Sequence, residues 1–356
     1  SRMDARSALR VAVLGAGTVG SEVVRALLER PDALAARDGA RLSLAGVAVR
    51  NLERARRRGI PAELLSDAPA HLVAWPDTDI VVELMGGDEP ARTLIAAALG
   101  AGKPVVSANK HVIAHHGPEL EAIARRSGTP FRFEAAVGGG IPILGPLAAD
   151  LAANHVRRVR GIVNGTTNYI LSAMAEEGRP YADVLEDAQR LGYAEADPAG
   201  DVEGDDAVNK LVILARLAFG EWLDPATVVR RPPSVRGDSR PGITGITDHE
   251  IEGAEALGLT MKLLATTTRL PRGKIAASVL PTCVPSNSPF GRTAGVTNRI
   301  EIEGDPVGVI GIAGPGAGGG PTSSAVLADL IAIARGLGST WAGLPPADAS
   351  AVAHIA

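Results

Sequence analysis

Cysteine and aromatic side chains are what this sequence has least of. Cys283 stands alone among 356 residues, so neither an intrachain disulfide nor a thiolate metal site can be built, and a reducing compartment, the cytoplasm, is expected. Aromatics make up 3% of the chain, which leaves aliphatic packing to bury most of the core. Neither sign of charge dominates: 36 Lys and Arg against 40 Asp and Glu leave a net charge of −4, which argues against a surface dedicated to nucleic acid or anionic membrane. Long apolar runs are missing too. Residues 211–219 are interrupted by Arg216, far short of the roughly 18 residues that a membrane helix needs. No apolar signal core follows the start, and Ser1 and Arg2, ahead of Met3, read as an expression scar outside the fold.

What is present has the composition of an ordinary enzyme acting on small molecules, with 46% hydrophobic and 21% charged residues, 42 Gly and 25 Pro. At roughly 100 to 200 residues per domain, the length predicts two domains. Residues 9–14 form a compact apolar run ending in a glycine-rich turn, and Val19, Val23, Val24, Leu27 and Leu28 follow at helical spacing until Pro31. Strands are predicted again at 42–49, 79–84, 105–106 and 131–137, with helices at 90–99 and 118–126. This alternation predicts an α/β fold built on a Rossmann-type, doubly wound parallel sheet. After about residue 140 the rhythm changes. A helix near 142–153, a strand at 156–163, a helix opened by Pro180 and closed by Gly192, helices at 205–219 and 248–257, strands near 274–280 and 299–302, and a last helix at 322–335 follow. Residues 230–245, rich in Pro, Arg, Gly and Ser, predict an exposed excursion. The expected division is a dinucleotide-binding domain of 3–140 plus about 310–350, and a second, α+β domain of 141–309.

Gly15-Ala16-Gly17-Thr18-Val19-Gly20 fits G-x-G-x-x-G in its required setting, after a strand and at the opening of a helix. A structural turn would need no ligand, but the setting favours a pyrophosphate held by the unpaired amides of the helix start. At the end of the second strand an acidic residue would hold free ribose hydroxyls and a basic one a 2′-phosphate. Arg50 stands there, followed by Arg54, Arg56, Arg57 and Arg58, so NADP is expected, with NAD the alternative. Glu53 among those arginines is also what a solvated helix face would show.

Asp206 and Lys210, four apart on a predicted helix, share one face, and Asp201 and Glu195 arrive from the loop before it. Taken alone, the pair is equally an ordinary surface ion pair worth a few tenths of a kcal/mol. His111 and His115 have the spacing of a helical metal pair, with His116 beside them, but no cysteine or acidic pair completes a site, so satisfied or solvent-facing histidines are expected. The glycine-rich 314–320 lacks the Lys-Ser/Thr ending of a P-loop, which argues against an ATP site.

Several motifs then accumulate. Ser107-Ala108-Asn109-Lys110, Val137-Gly138-Gly139-Gly140-Ile141-Pro142, Asn164-Gly165-Thr166-Thr167-Asn168-Tyr169, Gly192-Tyr193-Ala194-Glu195-Ala196-Asp197-Pro198, Asp201-Val202-Glu203-Gly204-Asp205-Asp206-Ala207-Val208-Asn209-Lys210-Leu211 and Gly314-Pro315-Gly316-Ala317-Gly318 together resemble homoserine dehydrogenase, from near residue 9 to near 335. The resemblance implies reduction of L-aspartate 4-semialdehyde to L-homoserine with NAD(P)H, in threonine, methionine and isoleucine biosynthesis. It also implies a second domain that binds substrate and forms a homodimer.

The same resemblance implies Lys210 as proton donor and acceptor, Lys110 as a second lysine near substrate and cofactor, and Glu195, Asp201 and Asp206 as substrate-binding carboxylates. Thr166 and Tyr193 are hydroxyls that would orient substrate or merely satisfy a turn. Gly192 and Gly318 are implied to lie against the cofactor. Main-chain oxygens of Glu134, Val137, Gly139 and Ile141 are implied to hold a monovalent cation, for which hard oxygen donors favour Na+; read alone, that run is a strand exit. Many relatives carry a C-terminal ACT domain, and with the chain stopping at Ala356, threonine feedback through such a domain is not expected. Residues 286–292 and 230–240 depart from the family's usual text. Another lysine-based semialdehyde or amino-acid dehydrogenase, or an NADPH sensor without turnover, are the competing readings.

Overall fold

The computed structural model describes residues 8–38, 41–234, 237–347 and 352–353; Ser1 and Arg2 lie outside them. The chain forms two compact units, Ser1–Asp150 with Ala317–Ala347, and Leu151–Gly316 with Asp348–Ala356. The first break therefore falls ten residues later than expected from sequence. The reason is local: the amides of Ile143, Leu144 and Gly145 all donate to the Glu134 carboxylate, at 2.7, 3.0 and 2.7 Å, which ties the helix after the glycine bend to the first unit.

In the first unit, β1 (Ala8–Leu14), β2 (Arg41–Ala48), β3 (Leu65–Ser66), β4 (Ile80–Glu83), β5 (Val105–Ser107) and β6 (Phe131–Arg132) form one parallel sheet in the order β3-β2-β1-β4-β5-β6. Its central strands are aliphatic and sealed from water, with Val11, Val13, Leu14, Ile80, Val81 and Val82 fully buried, as a sheet covered on both faces requires. The connecting helices are α1 (Thr18–Glu29), α2 (Pro31–Asp38), α3 (Leu52–Arg57), α4 (Pro69–Ala74), α5 (Ala91–Gly100) and α6 (Lys110–Ser127), with the short α7 (Leu144–Ala148) after β6.

Two elements differ from expectation. Helix α6 starts at Lys110, not Pro118, because the Asn109 side chain caps it by accepting the Val112 amide at 3.1 Å, and Pro118 then falls inside the helix. The strand expected over 131–137 ends at Arg132. The Glu134 amide donates to the Asp329 carboxylate at 2.9 Å instead of to a neighbouring strand, and 134–136 coil into a 3₁₀ turn.

The second unit is built on an antiparallel sheet in the order β11-β10-β7-β8-β9, from β7 (His155–Ile162), β8 (Leu259–Arg269), β9 (Ile275–Pro285), β10 (Thr297–Asp305) and β11 (Gly308–Pro315). Its helices are α8 (Gly165–Glu177), α9 (Tyr181–Arg190), α10 (Ala199–Val202), α11 (Asp205–Phe219) and α12 (Asp248–Ala256). Helix α11 is bounded by Gly204 and Gly220, both left-handed, and is buried along almost its whole length. The segment 230–245 is irregular where described and returns to α10, with the Ile243 amide donating to the Val202 carbonyl at 2.9 Å. Finally α13 (Gly319–Ala334) rejoins the first unit and packs along α1.

Candidate active site

The turn between β1 and α1 explains its own glycines. A Cβ on Gly15, which is left-handed at φ +99°, would stand 2.8 Å from the Leu84 carbonyl oxygen, and one on Gly20 would stand 2.0 Å from the Gly15 carbonyl. Gly17 is different. Nothing lies within 4 Å of where its Cβ would be, and as N-cap of α1 it provides no side chain to the helix amides. Open space in front of uncapped helix amides is the arrangement that suits an anion. Gly319, at the head of α13, abuts the same turn: a Cβ there would be 2.8 Å from the Thr18 carbonyl, which brings neighbouring Gly318 close to it.

This turn lines a cleft of about 770 Å³ that continues over Arg50, Arg54, Arg58 and Asp67 on one side and over 84–87, Glu89 and Pro90 on the other. The basic stretch divides into two groups. Glu53 pairs with Arg57 at 3.2 Å and Arg56 at 3.9 Å, and none of these three lines the cleft. Arg50, Arg54 and Arg58 do, with Arg58 Nη1 donating to the Ala16 carbonyl of the glycine turn at 3.3 Å. All six side chains are exposed, so the division is between arginines paired with Glu53 and arginines that edge the cleft.

Across β1 from β2, the end of β4 carries a buried acid. Glu83 is fully shielded; its carboxylate accepts the Met85 amide at 2.8 Å, the Gly86 amide at 3.3 Å and the Ser107 hydroxyl at 2.8 Å. Burial pushes its pKa up, and these three donors oppose that shift. Ser107 in turn accepts the Asn109 amide at 3.0 Å, and Asn109 Nδ2 donates to the Gly87 carbonyl at 2.8 Å. Lys110 follows as the half-buried first residue of α6.

In the second unit, the i,i+4 pair on α11 is not a surface pair. The Lys210 side chain is 10% exposed and that of Asp206 11%. Lys210 Nζ donates to Asp206 Oδ2 and to the Val163 carbonyl, both at 2.7 Å. Asn164, at the start of α8, bridges two acids: its Nδ2 donates to Asp201 Oδ1 at 2.7 Å and to Asp206 Oδ2 at 2.9 Å, while its Oδ1 accepts the Thr167 amide as a cap. In the sequence Asn164 stands out only as the first residue of the Asn164–Tyr169 motif. Its position directly after a predicted strand and before a helix was the available signal.

The other expected residues are placed less tightly. Thr166 is committed to the loop, its hydroxyl donating to the Tyr193 carbonyl at 2.6 Å, and the Tyr193 ring, 44% exposed, packs against Tyr169. Glu195 is exposed, and its carbonyl accepts from Gln189. Gly192 is exposed and left-handed, belonging to the second unit and not to the cleft described above. In the run expected to hold a cation, Gly138 and Gly139 are both left-handed, a conformation that glycine adopts without strain. No group of three or more His, Cys, Asp or Glu side chains able to hold a metal occurs among the described residues. His111 and His115 stack at 4.3 Å between centroids, and His116 contacts Asp88 at 2.7 Å. No helix among the described residues is long and apolar enough to cross a membrane.

Residues 15–134 match the family model for the homoserine dehydrogenase NAD-binding domain, and residues 142–331 the model for homoserine dehydrogenase. A homoserine dehydrogenase of Mycobacterium tuberculosis is 47% identical over 329 residues, 91% of this chain and 72% of that protein. The crystal structure of a homoserine dehydrogenase from Thiobacillus denitrificans superposes with a TM-score of 0.86 at 41% identity, covering 92% of this chain and 73% of that one. A hyperthermophilic archaeal homoserine dehydrogenase in complex with NADPH superposes with a TM-score of 0.75 at 28% identity, covering 91% of this chain and 97% of that one.

Proposed function

The chain belongs to the homoserine dehydrogenase family of NAD(P)-dependent oxidoreductases, and from that premise we propose that Lys210 is the proton donor and acceptor in the interconversion of L-aspartate 4-semialdehyde and L-homoserine. The observation that carries the assignment is the fixed ammonium: Lys210 Nζ is held at 2.7 Å by both Asp206 and the Val163 carbonyl, with Asn164 locking Asp206 to Asp201. The bound nicotinamide supplies a hydride to the aldehyde carbon, and the ammonium gives its proton to the oxygen as that oxygen becomes an alcohol. In the oxidative direction the amine takes the hydroxyl proton back. Asp201, Asp206 and Glu195 bind the α-ammonium of the amino acid, because carboxylates pair with ammonium groups through charge-assisted hydrogen bonds. Thr166 and Tyr193 shape the loop that carries Glu195, and Lys110 contacts substrate and cofactor.

The dinucleotide is held by the first unit, its pyrophosphate on the amides behind Gly15, Ala16, Gly17, Thr18, Val19 and Gly20, next to Gly318. Arg50, Arg54 and Arg58 line the β2 end of the cleft, and three guanidiniums there favour a 2′-phosphate over free ribose hydroxyls, hence NADP over NAD. Family resemblance supports three further assignments: Na+ on the main-chain oxygens of Glu134, Val137, Gly139 and Ile141, cofactor contact at Gly192, and a homodimer formed through the second unit. A cytoplasmic enzyme of threonine, methionine and isoleucine biosynthesis accords with the single cysteine. The test is loss of NADPH absorbance on addition of aspartate 4-semialdehyde, with a semialdehyde lacking the α-ammonium as control. NADPH binding without turnover would convict the chain of being a sensor, and equal turnover of the control would reassign the substrate.

A further inference from the structure

Glu83 is a fully buried carboxylate that none of the chemistry above uses, yet it is one strand away from the glycine turn. In the sheet order, β2 and β4 flank β1 on opposite sides. A dinucleotide with its pyrophosphate at the β1–α1 turn and its 2′-phosphate at the end of β2 must extend its other half over the ends of β4 and β5. The wall there is the 84–87 turn, with Gly86 and Gly87 both left-handed. That turn packs no hydrophobic side chain of Gly86 or Gly87 into the core; its shape comes from polar ties. Glu83 takes the amides of Met85 and Gly86, and Asn109 Nδ2 takes the Gly87 carbonyl. Ser107 joins the two anchors, donating to Glu83 and accepting from the Asn109 amide. Asn109 also caps α6, whose first residue is Lys110.

We propose that Glu83 is a positioning residue for hydride transfer: through Ser107 and Asn109 it holds both the cleft wall under the nicotinamide half of the cofactor and the helix start that carries Lys110. The inference rests on the cofactor orientation proposed above. Its action is geometric. A carboxamide can keep Oε1 on the two amides and turn its Nε2 toward Ser107 Oγ, whereas a methyl group cannot reach any of the three partners.

The experiment compares Glu83→Ala, Glu83→Gln and Ser107→Ala, each measured for kcat, for NADPH affinity by fluorescence, and for inhibition by 2′,5′-ADP, a probe of the adenosine half alone. Ser107→Ala, one oxygen smaller, keeps the test available where Glu83→Ala does not fold. In the wild type 2′,5′-ADP competes with NADPH; if it does not, the cofactor orientation is wrong and the inference falls with it. Expected are a drop in kcat of about 10- to 100-fold for Glu83→Ala and about 10-fold for Ser107→Ala, with weaker NADPH binding and unchanged 2′,5′-ADP inhibition, while Glu83→Gln returns to within about threefold of wild type and leaves the pH profile in place. With competition intact, wild-type kcat in folded Glu83→Ala or in Ser107→Ala overturns the proposal. So does a Glu83→Gln enzyme as impaired as Glu83→Ala, and so does parallel weakening of NADPH and 2′,5′-ADP, which would mark a general structural role.

Discussion

Replacing Lys210 by alanine separates catalysis from stability in this protein. The substitution removes an ammonium that donates to the Val163 carbonyl and to Asp206, both at 2.7 Å. Exposed ion pairs are worth under about 1 kcal/mol, but both side chains here are about nine-tenths buried, and breaking one partner of a buried pair costs about 3–5 kcal/mol. Asp206 keeps the Asn164 amide at 2.9 Å, so the expected loss of folding stability is at the low end of that range, about 3 kcal/mol. A domain with an ordinary stability of about 5–15 kcal/mol remains folded after that loss. Loss of the proposed proton donor should cost a fall in kcat of about 10² to 10⁴, which is about 2.7–5.5 kcal/mol of barrier. NADPH, held by the other unit, should bind as before. Stopped-flow or steady-state loss of NADPH absorbance, alongside urea unfolding and fluorescence titration with NADPH, measures all three quantities on one preparation. Turnover within threefold of wild type would remove Lys210 from the chemistry. A parallel collapse of NADPH affinity would show that the substitution acts on the nucleotide unit.

Three further outcomes follow from the geometry. Arg50→Asp removes a guanidinium from the β2 end of the cleft and should raise the KM for NADPH about 10- to 100-fold with little change for NADH, the size of one charge-assisted hydrogen bond; equal losses for both cofactors would mean the phosphate contact is elsewhere. Gly17→Ala meets no protein atom within 4 Å, whereas Gly20→Ala drives a methyl to 2.0 Å from the Gly15 carbonyl. The first should therefore weaken NADPH binding at an unchanged Tm, and the second should lower Tm as well; thermal unfolding with and without NADPH distinguishes them. Lys262 is buried, donating to the Thr293 carbonyl at 2.7 Å and Asn168 Oδ1 at 3.1 Å, and burial pushes its pKa from 10.5 down to about 8, against a smaller opposing pull from Glu176. The unfolded chain then binds more protons between those values, so the Lys262 contribution to stability is most unfavourable below pH 8 and is relieved as the pH rises to 10.5, by about 3 kcal/mol in all. Comparing wild type with Lys262→Met by urea unfolding at pH 8 and pH 10 isolates this contribution, and a stability difference independent of pH would refute it.

The parallel half of the fold was legible because its signals are local. The apolar run of β1, the glycine turn and the helical spacing of Val23, Val24 and Leu27 are all contained within twenty residues, and all three are buried as expected. The errors arose where distant partners decide. Asp329, 195 residues away, takes the Glu134 amide and ends β6 early. The Asn109 cap outranks Pro118 as a helix start because a side-chain acceptor satisfies an amide that would otherwise be unpaired. Strand β8 was missed for a different reason: it mixes Lys262 and a run of threonines into what is nevertheless a buried strand. Strand β11 is glycine-rich and largely exposed along one edge of its sheet, so no apolar alternation marks it.

The candidate site divides along the same line. Four-residue spacing was enough to put Asp206 and Lys210 on one face of α11, but spacing cannot distinguish a weak surface pair from a fixed ammonium. What distinguishes them is a third partner. The Val163 carbonyl comes from a strand end 47 residues earlier, and the adjacent Asn164 reaches forward 37 and 42 residues to Asp201 and Asp206. One strand-to-helix corner thus holds the lysine through a backbone oxygen and its carboxylates through a side-chain amide. Two carboxylates that share one amide donor are drawn together against their mutual repulsion, and the ammonium between Asp206 and Val163 offsets that repulsion before any substrate arrives. The α-ammonium of an amino acid entering such a cluster would meet acids already desolvated and aligned, so less of the binding energy would be consumed in ordering them. The corner at 163–164 is therefore where the second unit's structure becomes its chemistry, and Asn164→Ala, which removes both acid contacts and the cap on α8, should raise the KM for the amino acid more than it alters NADPH affinity; the reverse pattern in steady-state kinetics and fluorescence titration would show that the acids are ordered by something other than this amide.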